Sequence, residues 1–207
     1  MWIDGERVKV TVNLLAAWGG RLRIEAMDPQ GGTAADLATD GQSYCLLDVR
    51  HDCGDCGPAT PETVARLLRI AMPPDDVVAI LFGSTPVLAQ AATTSHWDAR
   101  AGREIVELAA GGVTQRIELD GRPGAWDVLD SELRGADGKT TWHVAHKGFH
   151  EVRTTTGARV RMPSKSLLEQ GDNSVTIEWR EVQIGAELDV SKFRLALQPG
   201  LRACVAP

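Results

Sequence analysis

The chain predicts a mainly β fold: one strongly curved antiparallel sheet of about ten strands, an unclosed β-barrel, with two short central helices covering its concave face. Three observations lead there. Strand-like runs separated by turn dipeptides fill most of the 207 residues. Helical periodicity is confined to one island between Thr60 and Gly83. No regular alternation of strands and helices calls for a parallel sheet.

Val8–Leu14 alternates apolar and polar residues, as a half-buried strand does. Leu22–Met27 and Ser43–Val49 are further strands, and Asp40-Gly41 between two β-type runs marks a hairpin. Arg50 to Pro58 is Gly-, Cys- and Asp-rich and reads as a loop. Thr60 is a good N-cap and Pro61 suits the first helical position, so a helix is expected near 61–70. Val64, Leu67, Leu68 and Ala71 share one of its faces. Met72-Pro73-Pro74 ends it. A second helix is expected over 74–82, with Asp75 and Asp76 in its first turn and Gly83 as its stop. Val77, Val78, Ile80, Leu81 and Phe82 make it apolar nearly all round. Seven strand candidates follow: 87–97, 103–109, 113–119, 126–133, 141–152, 158–169 and 174–184. Ala101-Gly102, Gly111-Gly112, Asp120-Gly121, Asp137-Gly138, Gly157 and Gly171-Asp172-Asn173 punctuate them. Residues 1–207 read as a single domain.

A hydrophobic content of 43% is ordinary for a globular protein, and a formal net charge of −6 without a Lys/Arg block argues against nucleic acid and anionic membranes as partners. No run of 18 apolar residues crosses a membrane. The chain opens Met1-Trp2-Ile3-Asp4-Gly5 on strand-like sequence, with no signal peptide in view, so either the protein is cytosolic or a leader has been removed. The four cysteines, Cys45, Cys53, Cys56 and Cys204, are all disulfide candidates; their even number suits an oxidising compartment, and three full pairings are open.

Several runs, in order, resemble one family. They are Arg21-Leu-Arg-Ile-Glu-Ala-Met-Asp-Pro29 and Leu37–Asp48; Leu68–Pro86, with its proline break and closing Gly-Ser-Thr-Pro; and Arg161-Met-Pro-Ser-Lys-Ser-Leu167, Ser174–Val182 and Phe193–Gly200. Together they resemble the bacterial LolA/LolB lipoprotein-carrier family. The Cys53-Gly-Asp-Cys56 run is foreign to that pattern, and Leu22-Arg23-Ile24 replaces a more aromatic strand.

The resemblance implies a non-enzymatic protein without a cofactor. It would bind acyl chains of lipoproteins or lipids in a hydrophobic cavity, for trafficking or insertion at the outer membrane. It implies a periplasmic location, with a leader removed ahead of residue 1 and a lipidated N-terminus as one variant. A carrier or acceptor protein of the same pathway would be its partner. Cavity and lid would be formed by Val64, Leu67, Leu68, Val77, Val78, Leu81, Trp126 and Trp179, with Arg23 gating the lid. The competing expectation is a structural or interaction protein of the envelope with the same fold and a packed interior.

Other signals weigh less. Cys53-x-x-Cys56 looks like a thioredoxin-type pair, but Gly57-Pro58-Ala59 separates it from the helix whose N-terminus would activate a thiol. One cysteine pair with His51 falls short of a zinc site, and no metal is expected. His143, His146 and His150 would share a face on a helix, but their neighbours are strand formers, so surface histidines are expected. Carboxylate pairs such as Asp75-Asp76, Asp127 with Asp130, and Glu178 with Glu181 sit in no catalytic frame. No nucleophile elbow or P-loop occurs.

Overall fold

The computed structural model describes residues 2–3, 6–7, 9–121 and 126–204. The strands in chain order are β1 (Trp2–Ile3), β2 (Glu6–Arg7), β3 (Val12–Ala17), β4 (Arg21–Met27), β5 (Thr33–Asp40), β6 (Ser43–Asp48) and β7 (Cys53–Pro58). The helices α1 (Pro61–Leu68) and α2 (Pro74–Leu81) come next. Then follow β8 (Ala92–Asp98), β9 (Arg103–Ala110), β10 (Val113–Asp120), β11 (Asp127–Arg134), β12 (Thr140–Lys147) and β13 (His150–Arg153). β14 (Arg159–Met162), β15 (Lys165–Gln170), β16 (Asn173–Glu178), a 3-10 turn (Val190–Phe193) and β17 (Arg202–Ala203) complete the chain. Among the described residues the fold is mainly β with two α-helices, and no sheet closes into a barrel.

The strands form a nine-stranded sheet ordered β2-β1-β16-β15-β12-β11-β10-β9-β8, a six-stranded sheet ordered β17-β7-β6-β5-β4-β3, and the hairpin β13-β14. All pairings are antiparallel except β17 with β7. The chain divides into two compact units, Met1–Arg7 with Ala79–Ala186, and Val8–Val78 with Glu187–Pro207.

The second unit holds the six-stranded sheet. Period-two alternation gives it two unlike faces. Leu22, Leu37, Thr39 and Tyr44 line one, under α1 and the start of α2. Arg21, Arg23, Asp36 and Ala38 line the other, which the C-terminal segment covers. Phe193 of that segment is 1% exposed, and Arg21 stacks on its ring at 5.8 Å. Arg194 pairs with Asp40 at 3.2 Å. Leu197 packs against Gly54 so closely that a Cβ there would lie 2.6 Å from its Cδ1 and the leucine would have to shift.

Two disulfides hold this unit. Cys45 and Cys56 are opposite partners on β6 and β7, with Cα atoms 4.1 Å apart. Cys53 joins Cys204, tying the end of the C-terminal segment to β7. In the chain-entropy picture the loops closed, spanning 11 and 151 residues, are worth about 3 and 5 kcal/mol. The run expected as a loop, Arg50 to Pro58, is therefore mostly strand. Its Gly and Cys residues have poor strand propensity, and ladder pairing with β6 and the two cross-links override it.

In the first unit, Ile105, Leu108, Ile117, Trp142, Val144 and Leu168 form the core of the nine-stranded sheet. The expected run 141–152 breaks into β12 and β13 at Gly148, whose φ is +68°. The run 158–169 breaks at the buried Pro163, since proline cannot donate to a ladder. Arg161 on β14 holds Asp127 on β11 by two N–H groups at 2.7 to 3.0 Å, fastening the hairpin to the sheet.

Candidate functional site

The candidate site lies within the second unit, between α1 and the six-stranded sheet. Thr60 caps α1, its hydroxyl accepting from Thr63 N at 3.3 Å, with Pro61 at the first helical position and Glu62 in the first turn. The helix ends one turn earlier than its apolar pattern, because Arg69 enters the left-handed region at φ +62°. The linker then buries Ile70 and Met72 before Pro74 opens α2. Val64, Leu67 and Leu68 of α1, with Pro74 and Val77 of α2, face Leu22, Leu37, Thr39 and Tyr44 across an apolar seam. The space left in the seam is about 20 Å³, close to one water molecule. Pockets that enclose small molecules run to about 300–1,000 Å³.

One polar cluster fastens α1 to the sheet. The Tyr44 hydroxyl donates to Asp55 Oδ2 at 2.5 Å, and Arg66 donates to the same carboxylate oxygen at 2.7 Å. Arg66 also donates to the Tyr44 hydroxyl and stacks on its ring at 5.7 Å. The Tyr44 hydroxyl and then the Arg66 guanidinium hold the Asp55 carboxyl below its ordinary range, while burial, with the Asp55 charge, pushes the Tyr44 hydroxyl up. The Arg66 and Asp55 side chains are 37% and 24% exposed, so water screens the pair.

The start of α2 is held differently. Asp75 Oδ1 accepts from Gly19 N at 3.0 Å and Gly20 N at 2.6 Å in the β3–β4 turn. Gly20 has φ +68°, and a Cβ there would meet Pro74 Cβ and Gly41 Cα at 3.1 Å. Only glycine lets the turn approach the helix this closely.

The chain leaving α2 is stitched onto the nine-stranded sheet of the first unit. Buried His146 contacts Ser84 O at 2.9 Å through Nε2 and the Ser166 hydroxyl at 2.8 Å through Nδ1. Donation to the carbonyl places the proton on Nε2. Burial lowers the pKa of this histidine. Gln115, 1% exposed, donates to Pro86 O and accepts from Leu88 N, both at 2.7 Å.

Among the residues expected to form cavity and lid, Val64, Leu67, Leu68 and Val77 line the seam. Val78 and Leu81 are buried, at 0% and 3% exposure. Leu81, Trp126 and Trp179 belong to the first unit, where Trp126 is 62% exposed and Trp179 is half-buried. Arg23 lies on the sheet face opposite α1. It pairs with Asp36 at 2.7 Å and Glu25 at 3.5 Å, and it donates to Lys192 O of the C-terminal segment. The groups that fasten the helices, Arg66, Tyr44, Asp55 and Asp75, were not singled out for that role in the sequence. Arg66 on the polar face of the amphipathic α1 was the one available signal.

The remaining candidates do not converge. Cys53 and Cys56 bond different partners, so they form no dithiol couple. His146 is a core residue rather than the surface histidine expected, because the segment 84–88 covers its face of the sheet. His143 reaches Asp130 at 2.7 Å and Glu169 at 2.9 Å, and His150 contacts Gly148 O. Among the described residues no group of three or more His, Cys, Asp or Glu side chains could hold a metal ion.

Two short helices in an antiparallel β meander whose sheets stay open define the LolA-like class of folds. A LolA superfamily protein from Nitrosomonas europaea is similar in structure, with a TM-score of 0.54 over 90% of this chain and 81% of that one, at 8% sequence identity. At that identity the likeness is one of fold. The sequence matches no known family model. No curated protein matches it.

Proposed function

We propose that this chain binds acyl chains of lipids or lipoproteins between α1 and the six-stranded sheet, and that α1 moves aside to admit them. The observation carrying this reading is an apolar seam closed by a weakly fastened helix. Each buried methylene is worth about 0.8 kcal/mol, whereas a partly exposed cluster such as Arg66–Tyr44–Asp55 contributes about 1 kcal/mol. A few methylenes therefore offset the fastening, while the rest of the chain replaces the sheet's contacts with Leu67 and Leu68.

The two disulfides suit an oxidising compartment. With the LolA-like fold they support an extracytoplasmic carrier, in the periplasm or anchored at the outer membrane. It would hand its ligand to a carrier or acceptor protein and carry out no catalysis. No helix among the described residues is long and apolar enough to cross a membrane.

The test is a titration of native protein with a fluorescent fatty acid and a diacylated lipopeptide. Saturable binding is expected, weakened about tenfold or more by Leu68→Asp, equivalent to at least about 1.4 kcal/mol, with far-UV circular dichroism unchanged. The small volume of the seam favours a second reading, an envelope structural or interaction protein with a packed interior. Absence of binding by either probe would leave that reading in its place.

A further inference from the structure

We propose that β8 pairs with β8 of a second copy of this chain, antiparallel about Ser95, joining two nine-stranded sheets into one. Among the described residues, β8 ends the sheet order and has β9 as its one ladder partner there. It is seven residues long, and all but Asp98 are exposed, on both faces of the strand. The opposite end of the sheet finishes in the two-residue strands β1 and β2, and one edge of the six-stranded sheet finishes in the two-residue β17, whose end a disulfide ties down. Short or covered edges are how sheets avoid pairing with other chains. The usual protections are missing along β8. It contains no lysine and no proline, and its register with β9 runs without a shift, so no bulge turns it away. Thr93, Thr94 and Trp97 are residues that favour strands.

The strand is also complementary to itself. In an antiparallel pair centred on Ser95, Thr93 faces Trp97 of the second copy, Thr94 faces His96, and Ala92 faces Asp98. The one carboxylate of β8 thus meets alanine, and no like charges oppose. Trp97, 49% exposed, gains a β-branched partner of the kind that stabilises cross-strand pairs.

Sedimentation velocity on the native, disulfide-intact chain tests this across about 1 to 300 μM, the range in which an edge-to-edge pair of this size associates. A concentration-dependent dimer is expected. The register predicts that Thr94→Lys with His96→Lys weakens it about tenfold or more by setting like charges opposite each other. Thr94→Lys with His96→Glu, which sets opposite charges there, keeps dissociation within about threefold of the unaltered chain. Both pairs of changes fall on exposed side chains, and circular dichroism checks that the fold persists. A monomer at every concentration overturns the proposal, as does a dimer indifferent to both variants.

Discussion

The two helices are equal in length and each opens on a proline, yet they are held in different ways. α1 is amphipathic, with Leu67 and Leu68 only half-buried, and side-chain groups screened by water fasten it. α2 buries Val78, Ile80 and Leu81 almost completely. Its first turn is bonded to two backbone amides, and the chain leaving it is bonded through two buried side chains. Helices this short are marginal alone, so their anchors decide how readily each one opens. The two helices thus differ in the strength of their anchors, α1 being the more loosely held.

The contrast can be broken most sharply in the core. Val78→Asp should cost about 4 kcal/mol or more in urea unfolding, since it strands a charge without a partner. Leu67→Asp on α1 should cost less than about half as much, because solvent reaches it. Equal losses would mean that α1 is as fixed as α2. Next in size is Gly20→Ala, expected to cost about 2 kcal/mol from the positive φ and the contact with Pro74. Hydrogen exchange should show amides in the first turn of α2 losing protection. Unchanged protection would show that the Asp75 bonds are not its anchor. Arg66→Gln should cost about 1 kcal/mol and speed exchange of α1 amides about fivefold, leaving α2 amides unaffected.

Acid should separate the two helices with the smallest effect. His146 has a lowered folded pKa, so its contribution is complete above the unfolded value near 6.5 and is lost as pH falls through the folded one. The segment following α2 should therefore loosen in mild acid. Asp55 is likewise lowered, but from an ordinary carboxylate value of 3.8, so the fastening of α1 should persist until pH falls below that value. Exchange rates measured between about pH 7 and 3 follow both transitions, and α1 loosening ahead of segment 84–88 would contradict the assignment.

Both helices were legible in the sequence because their signals are local: Thr60 and Pro61 start α1, the proline pair separates the two, and Gly83 stops α2. The seam was legible for the same reason, as Val64, Leu67 and Leu68 fall at helical spacing. What escaped was set by distant partners. Residues 87–91 look like strand, but Gln115, 27 positions after Leu88, takes the Leu88 N–H, and β8 begins only at Ala92. β7 looks like a loop until β6 and two cysteine partners are placed beside it. The side toward which Arg23 points depends on strand register, and a one-residue shift would exchange the two faces. The Arg66 cluster joins residues 11 and 22 positions apart, with no spacing rule to connect them.

The connectivity of the cysteines sets an order of events for a chain made from its N-terminus. Cys53 lies inside the loop closed by Cys45 and Cys56, while its own partner lies 151 positions downstream. The first two thiols to emerge, Cys45 and Cys53, are a non-native pair. Cys53 has no native partner until Cys204, 151 positions downstream, is available. Oxidation in order of appearance would trap the wrong bond, so reaching the native state depends on thiol–disulfide exchange, and a disulfide isomerase should raise the yield of oxidative refolding.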